Sequence, residues 1–192
     1  MFLASCLSQM GFRTKARWLR RRLRVAGLLA LVAGTAFASQ FDSFDRAAQV
    51  RGSDLIVIGR VLAVRSDWNA DHSAIVSDAE LAIDEVWKGA PTDRMSVRTF
   101  GGRVGNVALE VEGAAEFAID ERVVLFLRHS GGVYAPFGMR FGKYRITGEG
   151  ADSIATGSLP PATKGEQKFA VVSLPLGALR NQVTRLVKGE GQ

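Results

Sequence analysis

The stretch Phe117-Ala-Ile-Asp-Glu-Arg-Val-Val-Leu-Phe-Leu127 sets a turn, Asp120-Glu121-Arg122, directly before five consecutive apolar residues, Val123 to Leu127. A run that short, and that rich in β-branched and aromatic residues, is the pattern of a strand buried on both faces. Such a strand needs apolar cover on two sides. Its expected partner is Asp54 to Arg65, Asp-Leu-Ile-Val-Ile-Gly-Arg-Val-Leu-Ala-Val-Arg, which is also too apolar for a strand with one wet face.

The remaining patterns are β-rich and short. Ile75, Ala79, Leu81, Ile83 and Trp87 fall on one face of an alternating segment, with Asp78, Glu80 and Asp84 on the other. Met95, Val97 and Thr99 alternate next, then Val107, Leu109 and Val111 with Glu110 and Glu112 facing out. Gly131-Gly132 predicts a tight hairpin from the central strand into Val133–Phe137, and Tyr144–Ile146 follows. Residues 148–165 read as a polar excursion with a brief strand at Ser153–Thr156, and Lys168–Leu174 is one more strand candidate. Helical spacing appears only at the two ends of this region. Phe41, Phe44, Ala47, Ala48 and Val50 predict a short helix capped by Asp42 or Ser43 and ended by Gly52. Leu176, Leu179, Val183, Leu186 and Val187 line one face of a C-terminal helix, with Pro175 in its first turn and Gly189 as its stop. The fold class that follows is mostly β: a small closed or nearly closed barrel of about six or seven strands carrying two helices.

Ahead of this region the chain has a different character. Of its 25 basic residues, seven (Arg13, Lys15, Arg17, Arg20, Arg21, Arg22, Arg24) precede Ser39, where there is no acidic residue. An apolar run, Val25 to Gly34, and Thr35-Ala36-Phe37-Ala38 come next. A basic segment, an apolar run too short to span a bilayer and an A-x-A site make residues 1–38 an export signal cleaved near Ala38. The expectation is a periplasmic or secreted protein with no stable membrane anchor, and one domain over residues 39–192. The net charge of +6 then belongs to the leader, since 18 basic residues face 19 acidic ones beyond it. A near-neutral domain removes the basic-patch argument for nucleic acid. The one cysteine, Cys6, also lies in the leader, so neither a disulfide nor a thiol nucleophile is expected in the mature domain.

Asp54-Leu-Ile-Val-Ile-Gly-Arg-Val61, Val86-Trp-Lys-Gly89, Gly101-Gly-Arg-Val-Gly105 and Phe117 to Leu127, in that order, resemble uncharacterised exported bacterial β-barrel proteins. Their barrel looks like the OB-like fold of the tissue inhibitors of metalloproteinases and the netrin modules. The resemblance covers residues 54–146 and implies an OB-like fold. It does not carry the inhibitory mechanism, which works through an N-terminal cysteine absent from the mature domain.

Few residues point to chemistry. His72 and His129 are the only histidines, no motif pairs them with metal ligands, and no nucleophile motif accompanies them. No metal and no cofactor is expected. Asp67, Asn69 and Asp71 have the alternating oxygens of a calcium loop without the rest of that pattern. Arg140, Lys143 and Arg145 with Tyr134 and Phe141 make a basic-aromatic strip of the kind single strands stack on, against which the neutral domain and its export argue. Gly101-Gly-Arg-Val-Gly105 lacks the helix that a phosphate cradle needs, and reads as a wide turn with Arg103 at its tip. Loops at one barrel end, around Trp68 and Arg103, are therefore the candidate partner-binding site. A non-catalytic module binding a protein partner is the first reading of function. A hydrolase with an unrecognised site and a structural envelope component are the alternatives.

Overall fold

The computed structural model describes residues 46–90, 92–159 and 169–189. The export segment, its cleavage point and the helix start at Asp42 or Ser43 lie outside them. All the described residues fall in one compact unit, Phe44–Gln192.

The chain is mostly β, with a helix at each end of the described residues. Helix α1 occupies residues 46–52. Ten strands follow: β1 (Leu55–Trp68), β2 (Ile75–Lys88), β3 (Arg94–Phe100), β4 (Gly102–Val104), β5 (Val107–Leu109), β6 (Arg122–Ser130), β7 (Val133–Pro136), β8 (Lys143–Thr147), β9 (Ile154–Leu159) and β10 (Ala170–Pro175). Helix α2 (Leu176–Val187) closes the series. Eight strands form one sheet in the order β1-β2-β3-β7-β6-β8-β9-β10, β1 also pairs with β6, and β4 and β5 make a separate two-stranded sheet.

The central pair is the one the apolar runs predict. β1 and β6 run antiparallel from Leu55↔Leu127 to Arg60↔Arg122, and both are buried on both faces. Because neighbouring residues point to opposite faces, the pair divides its side chains between two cores. Leu55, Val57, Val61, Val123, Leu125 and Leu127 pack with Ala79, Leu81 and Val97 inside the curled sheet. Ile56, Ile58, Val124 and Phe126 pack on the other side with Tyr144, Ile146, Ala155 and the helix residues Val50, Leu176, Leu179 and Val183. Gly59 sits where the β1–β2 register shifts, and a Cβ there would lie 2.6 Å from the Ala82 carbonyl oxygen. The glycine of the Ile-Val-Ile-Gly-Arg-Val stretch therefore allows a close backbone approach at a bulge.

Two expectations are corrected. Among the described residues there are ten strands and not six or seven, because Gly102–Val104 is a strand of its own, paired with Val107–Leu109 in a small hairpin, and the brief strand expected at Ser153–Thr156 and the candidate at Lys168–Leu174 both join the sheet, as β9 and β10. The barrel is also not closed. β3 and β7 meet through one parallel pair, Val97↔Tyr134, and β8, β9 and β10 carry the sheet away from the curl. Glycine turns count strands but do not fix the tilt and register that closure requires.

The helices cover the outer core. On α2, Leu176, Leu179 and Val183 are buried and Leu186 packs beside them, whereas Val187, expected on that face, is exposed. Pro175 is the residue just before the helix, and Gly189 follows it with φ 77°. On α1 the buried residues are Arg46, Gln49 and Val50, while Ala47 and Ala48 are only half-buried. The polar pair is held by Tyr144. Its hydroxyl donates to Gln49 Oε1 (3.2 Å), Arg46 Nη1 donates to the same oxygen (3.2 Å), and the Arg46 guanidinium lies 4.7 Å from the Tyr144 ring centre. Lys88 Nζ ties the helix end to β2 by donating to the Val50 and Ser53 carbonyls at 2.7 and 2.6 Å. Among the described residues no helix is long and apolar enough to cross a membrane.

Candidate functional site

The glycine segment after β3 is a fold-back, built by backbone and hydroxyl contacts. Gly101 N–H donates to the Ile75 carbonyl (2.9 Å), and Ser77 Oγ donates to the Gly101 carbonyl (2.7 Å). Ser66 and Ser77 hydroxyls, facing each other across β1 and β2, share a 2.8 Å hydrogen bond directly under Gly102. The chain then crosses back over β1 and β2 as the hairpin β4–β5. Arg103 stands in the middle of β4 opposite Ala108, and the two-residue turn is Gly105-Asn106. Arg103 is thus exposed on a strand and not at a turn tip, which corrects the wide-turn reading.

A groove of about 740 Å³ lies between this hairpin, the ends of β1 to β3 and the return segment Glu110–Phe117. Thr99 Oγ1 holds that segment by donating to the Ala115 carbonyl at 2.8 Å. The groove's lining carries Arg103 and Arg140 together with Glu110, Glu112 and Glu116, and Phe100, also in the lining, exposes 59 % of its surface. Val107, next to the hairpin turn, is 50 % exposed. Charges of both signs around exposed apolar side chains suit a surface that meets another folded surface.

Trp68 lies at the same end but outside the groove lining. It sits on the side of β1 that carries Ser66, two residues further on, and its ring stacks on His72 with centroids 6.4 Å apart and planes 13° from parallel. The loop below it is self-satisfied. Asn69 Oδ1 accepts from the Ser73 and Ala74 amides (2.9 and 3.0 Å), Asp67 Oδ1 from the Trp68 amide (2.7 Å), and Asp71 Oδ1 from Ser73 Oγ (2.9 Å). One oxygen each of Asp67, Asn69 and Asp71 is therefore engaged within the loop, as in Asx-type turns. His129 lies at the other end of β6, against Tyr134 at 4.8 Å. Among the described residues no three of His, Cys, Asp and Glu come together as metal ligands. Comparison of the chain with protein-family models, curated proteins and solved structures found no match.

The basic-aromatic strip does not form as one surface. Tyr134 pairs with β3 and faces His129, away from Arg140, which lies 4.8 Å from the Phe169 ring centre. Lys143 and Arg145 instead close on Glu121, a residue that the sequence places in a turn and the fold buries, its side chain only 5 % exposed. Lys143 Nζ donates to Glu121 Oε2 at 2.7 Å and to the Glu116 carbonyl, and Arg145 Nε donates to Glu121 Oε1 at 2.6 Å. The carboxylate also accepts the Ala118 amide at 3.2 Å. Burial pushes the Glu121 carboxyl up, but the bonds from Lys143 and Arg145, the Lys143 charge and the Ala118 amide together hold it below its ordinary value of 4.5. For Lys143 the balance goes the other way. Burial pushes its ammonium down, and Glu121, helped by Glu116 and opposed by Arg145, offsets this only in part.

Because folding lowers the Glu121 pKa, the unfolded chain takes up the proton first as the pH falls. The stabilisation from Glu121 is therefore complete above the unfolded value of 4.5 and is lost as the pH drops through the lower folded value. The gap between wild-type and Glu121→Gln urea midpoints should narrow as the pH falls from about 6 to about 3. A gap that stays constant over that window would contradict the paired carboxylate.

Proposed function

We propose that this chain is an exported, non-catalytic binding module that engages a protein partner in the cell envelope or medium. The observation that carries the proposal is the groove of about 740 Å³ under the β4–β5 hairpin, with Arg103 and the exposed Phe100 in its lining. An exposed arginine beside exposed aromatic and aliphatic surface is the composition of an interface anchor. Trp68 flanks the groove as an outer contact. The export expectation from residues 1–38 supplies the compartment.

The architecture proposed with it is OB-like and partly open. Support comes from the circuit β1-β2-β3-β7-β6-β1, in which every neighbour is antiparallel except β3 and β7. In such barrels the loops at one end and the adjoining strand face hold ligands, which is where Arg103 and Trp68 stand. Fold alone assigns no partner, so the groove's own chemistry carries the argument.

If Arg103 anchors the partner, Arg103→Ala should leave stability within about 0.5 kcal/mol, as exposed substitutions do, and weaken the complex by about 1 kcal/mol or more. The partner is found by placing a photo-crosslinking residue at Phe100 in the exported protein and recovering the adduct. The purified pair then gives the affinity by titration. A complex that forms with unchanged affinity in the Arg103→Ala and Trp68→Ala variants would remove this site from the interface.

A further inference from the structure

We propose a second binding site, for a phosphate-class oxyanion, on the outer face of β8, β9 and β10, with Arg140 and Arg145 as its charged ligands. The alternation of these strands separates two faces. Tyr144, Ile146 and Ala155 point into the outer core. Lys143 and Arg145 on β8, Thr156 and Ser158 on β9, and Val171 on β10 lie on the opposite face, paired through Arg145↔Thr156 and Ser158↔Val171. A groove of about 450 Å³ runs between this face and the segment Ala114–Glu121. It adjoins the Arg103 groove at residues 114–116 and Arg140.

The charges in the groove are not all satisfied. Arg140, Lys143 and Arg145 face Glu116 and Glu121, which leaves one positive charge in excess. Lys143 is committed, with both of its hydrogen bonds inside the protein and its side chain only 11 % exposed. Arg145 is not. Nε alone bonds to Glu121, and the side chain is 61 % exposed, which leaves both terminal nitrogens to donate outward. The Arg140 guanidinium makes no hydrogen bond among the described residues, although the residue's backbone N–H donates to the Gly113 carbonyl at 2.9 Å. Its guanidinium is held against the Phe169 ring, and its Nε is buried without a partner. A buried, unfilled donor on a fixed cation costs stability unless an acceptor enters. Two guanidinium groups line this groove, Arg140 with its unfilled Nε and Arg145 with two terminal nitrogens free to donate, while the Thr156 hydroxyl is already paired with Ser173 Oγ at 2.9 Å. A phosphate group has the oxygens to meet them.

The test is titration of the full exported chain with inorganic phosphate at constant ionic strength, followed by the arginine Nε–H signals in NMR. The expected result is a saturable shift of the Arg140 and Arg145 signals that chloride does not reproduce. Arg140→Gln removes no side-chain hydrogen bond but does remove the contact with the Phe169 ring, so it should stay folded and melt slightly below the wild type while binding phosphate about tenfold more weakly, the loss of one charge-assisted contact. Arg103→Ala should leave phosphate binding unchanged, so the two sites are tested separately. Equal shifts with chloride, or unchanged phosphate affinity in Arg140→Gln, would overturn the proposal. Vesicles of phosphatidylcholine with and without phosphatidylglycerol identify the source. Retention on the phosphatidylglycerol vesicles that phosphate competes away assigns a lipid headgroup, and phosphate binding without retention assigns a soluble phosphate compound; both uphold the site.

Discussion

Leu125→Ala is expected to destabilise the fold by roughly 2–5 kcal/mol, the range for emptying a filled core position. Leu125 has no exposed surface and lies in the middle of β6, between Val57 on β1 and Lys143 on β8. Its side chain points into the inner core with Val57, Val61, Leu81 and Val97. Three strands converge on this position, so the backbone around it has little freedom to collapse into the space the substitution leaves. A total stability of about 5–15 kcal/mol makes such a loss large. Val171→Ala, at a side chain on β10 that is 74 % exposed, is the matched control and should change stability by less than about 0.5 kcal/mol. Denaturant midpoints for the two variants decide the matter. Equal effects would mean that the inner core is not packed around β6.

Gly102→Ala should be the most damaging change in the candidate partner site, at roughly 2–4 kcal/mol from a strained backbone and broken hydrogen bonds together. Gly102 has φ 134°, a conformation that side chains oppose. Space is also lacking, because an added Cβ would overlap both Ser66 Oγ and Ser77 Oγ, the pair whose hydrogen bonds lock the fold-back to β1 and β2. Gly105 separates the two causes. It has φ 58° but nothing within 4 Å of an added Cβ, so Gly105→Ala carries only the conformational cost of about 1–2 kcal/mol. In a Ser66→Ala/Ser77→Ala background the cost of Gly102→Ala should fall but stay above the Gly105 value, because Ser66 Cβ, 2.9 Å from the added Cβ, remains in alanine; the coupling is measured by a mutant cycle in thermal melts. Additive costs would show that the hydroxyl pair is not what Gly102 accommodates. Since Arg103 rides on the strand that Gly102 begins, the Gly102 variant should weaken partner binding as well, an effect that Arg103→Ala should produce without loss of stability.

What could be read from the sequence is what depends on periodicity and local backbone chemistry. Val123–Leu127 and Leu55–Val61 announced strands buried on two faces because no other arrangement hides consecutive apolar side chains on a strand. Gly131-Gly132 marked a hairpin, and both residues have positive φ. Pro175 and Gly189 bounded the last helix to within a residue. Trp68 and Arg103, expected in loops, stand instead on strands, at the end of β1 and in the middle of β4.

The remainder depended on contacts between residues far apart in the chain. Glu121 and Lys143 are 22 positions apart, and Gln49 and Tyr144 are 95 apart; no local pattern links them, so the buried carboxylate and the buried Arg46-Gln49 pair were invisible as sites. Arg46 in particular has the composition of a solvent-facing helix residue, and its burial is offset by the bond to Gln49 and the Tyr144 and Phe126 rings beside it. Whether the barrel closes was likewise undecided in the strand pattern, since closure depends on how far each strand is tilted and staggered against its neighbour. The sequence by itself determined that this chain folds around one doubly buried strand pair. Tertiary structure alone decided which charges the fold spends inside itself, at Glu121 and Lys143, and which it leaves facing outward, at Arg103 and on the terminal nitrogens of Arg145, because the energy of a charge is set by the partners and solvent around it and not by its neighbours in the chain.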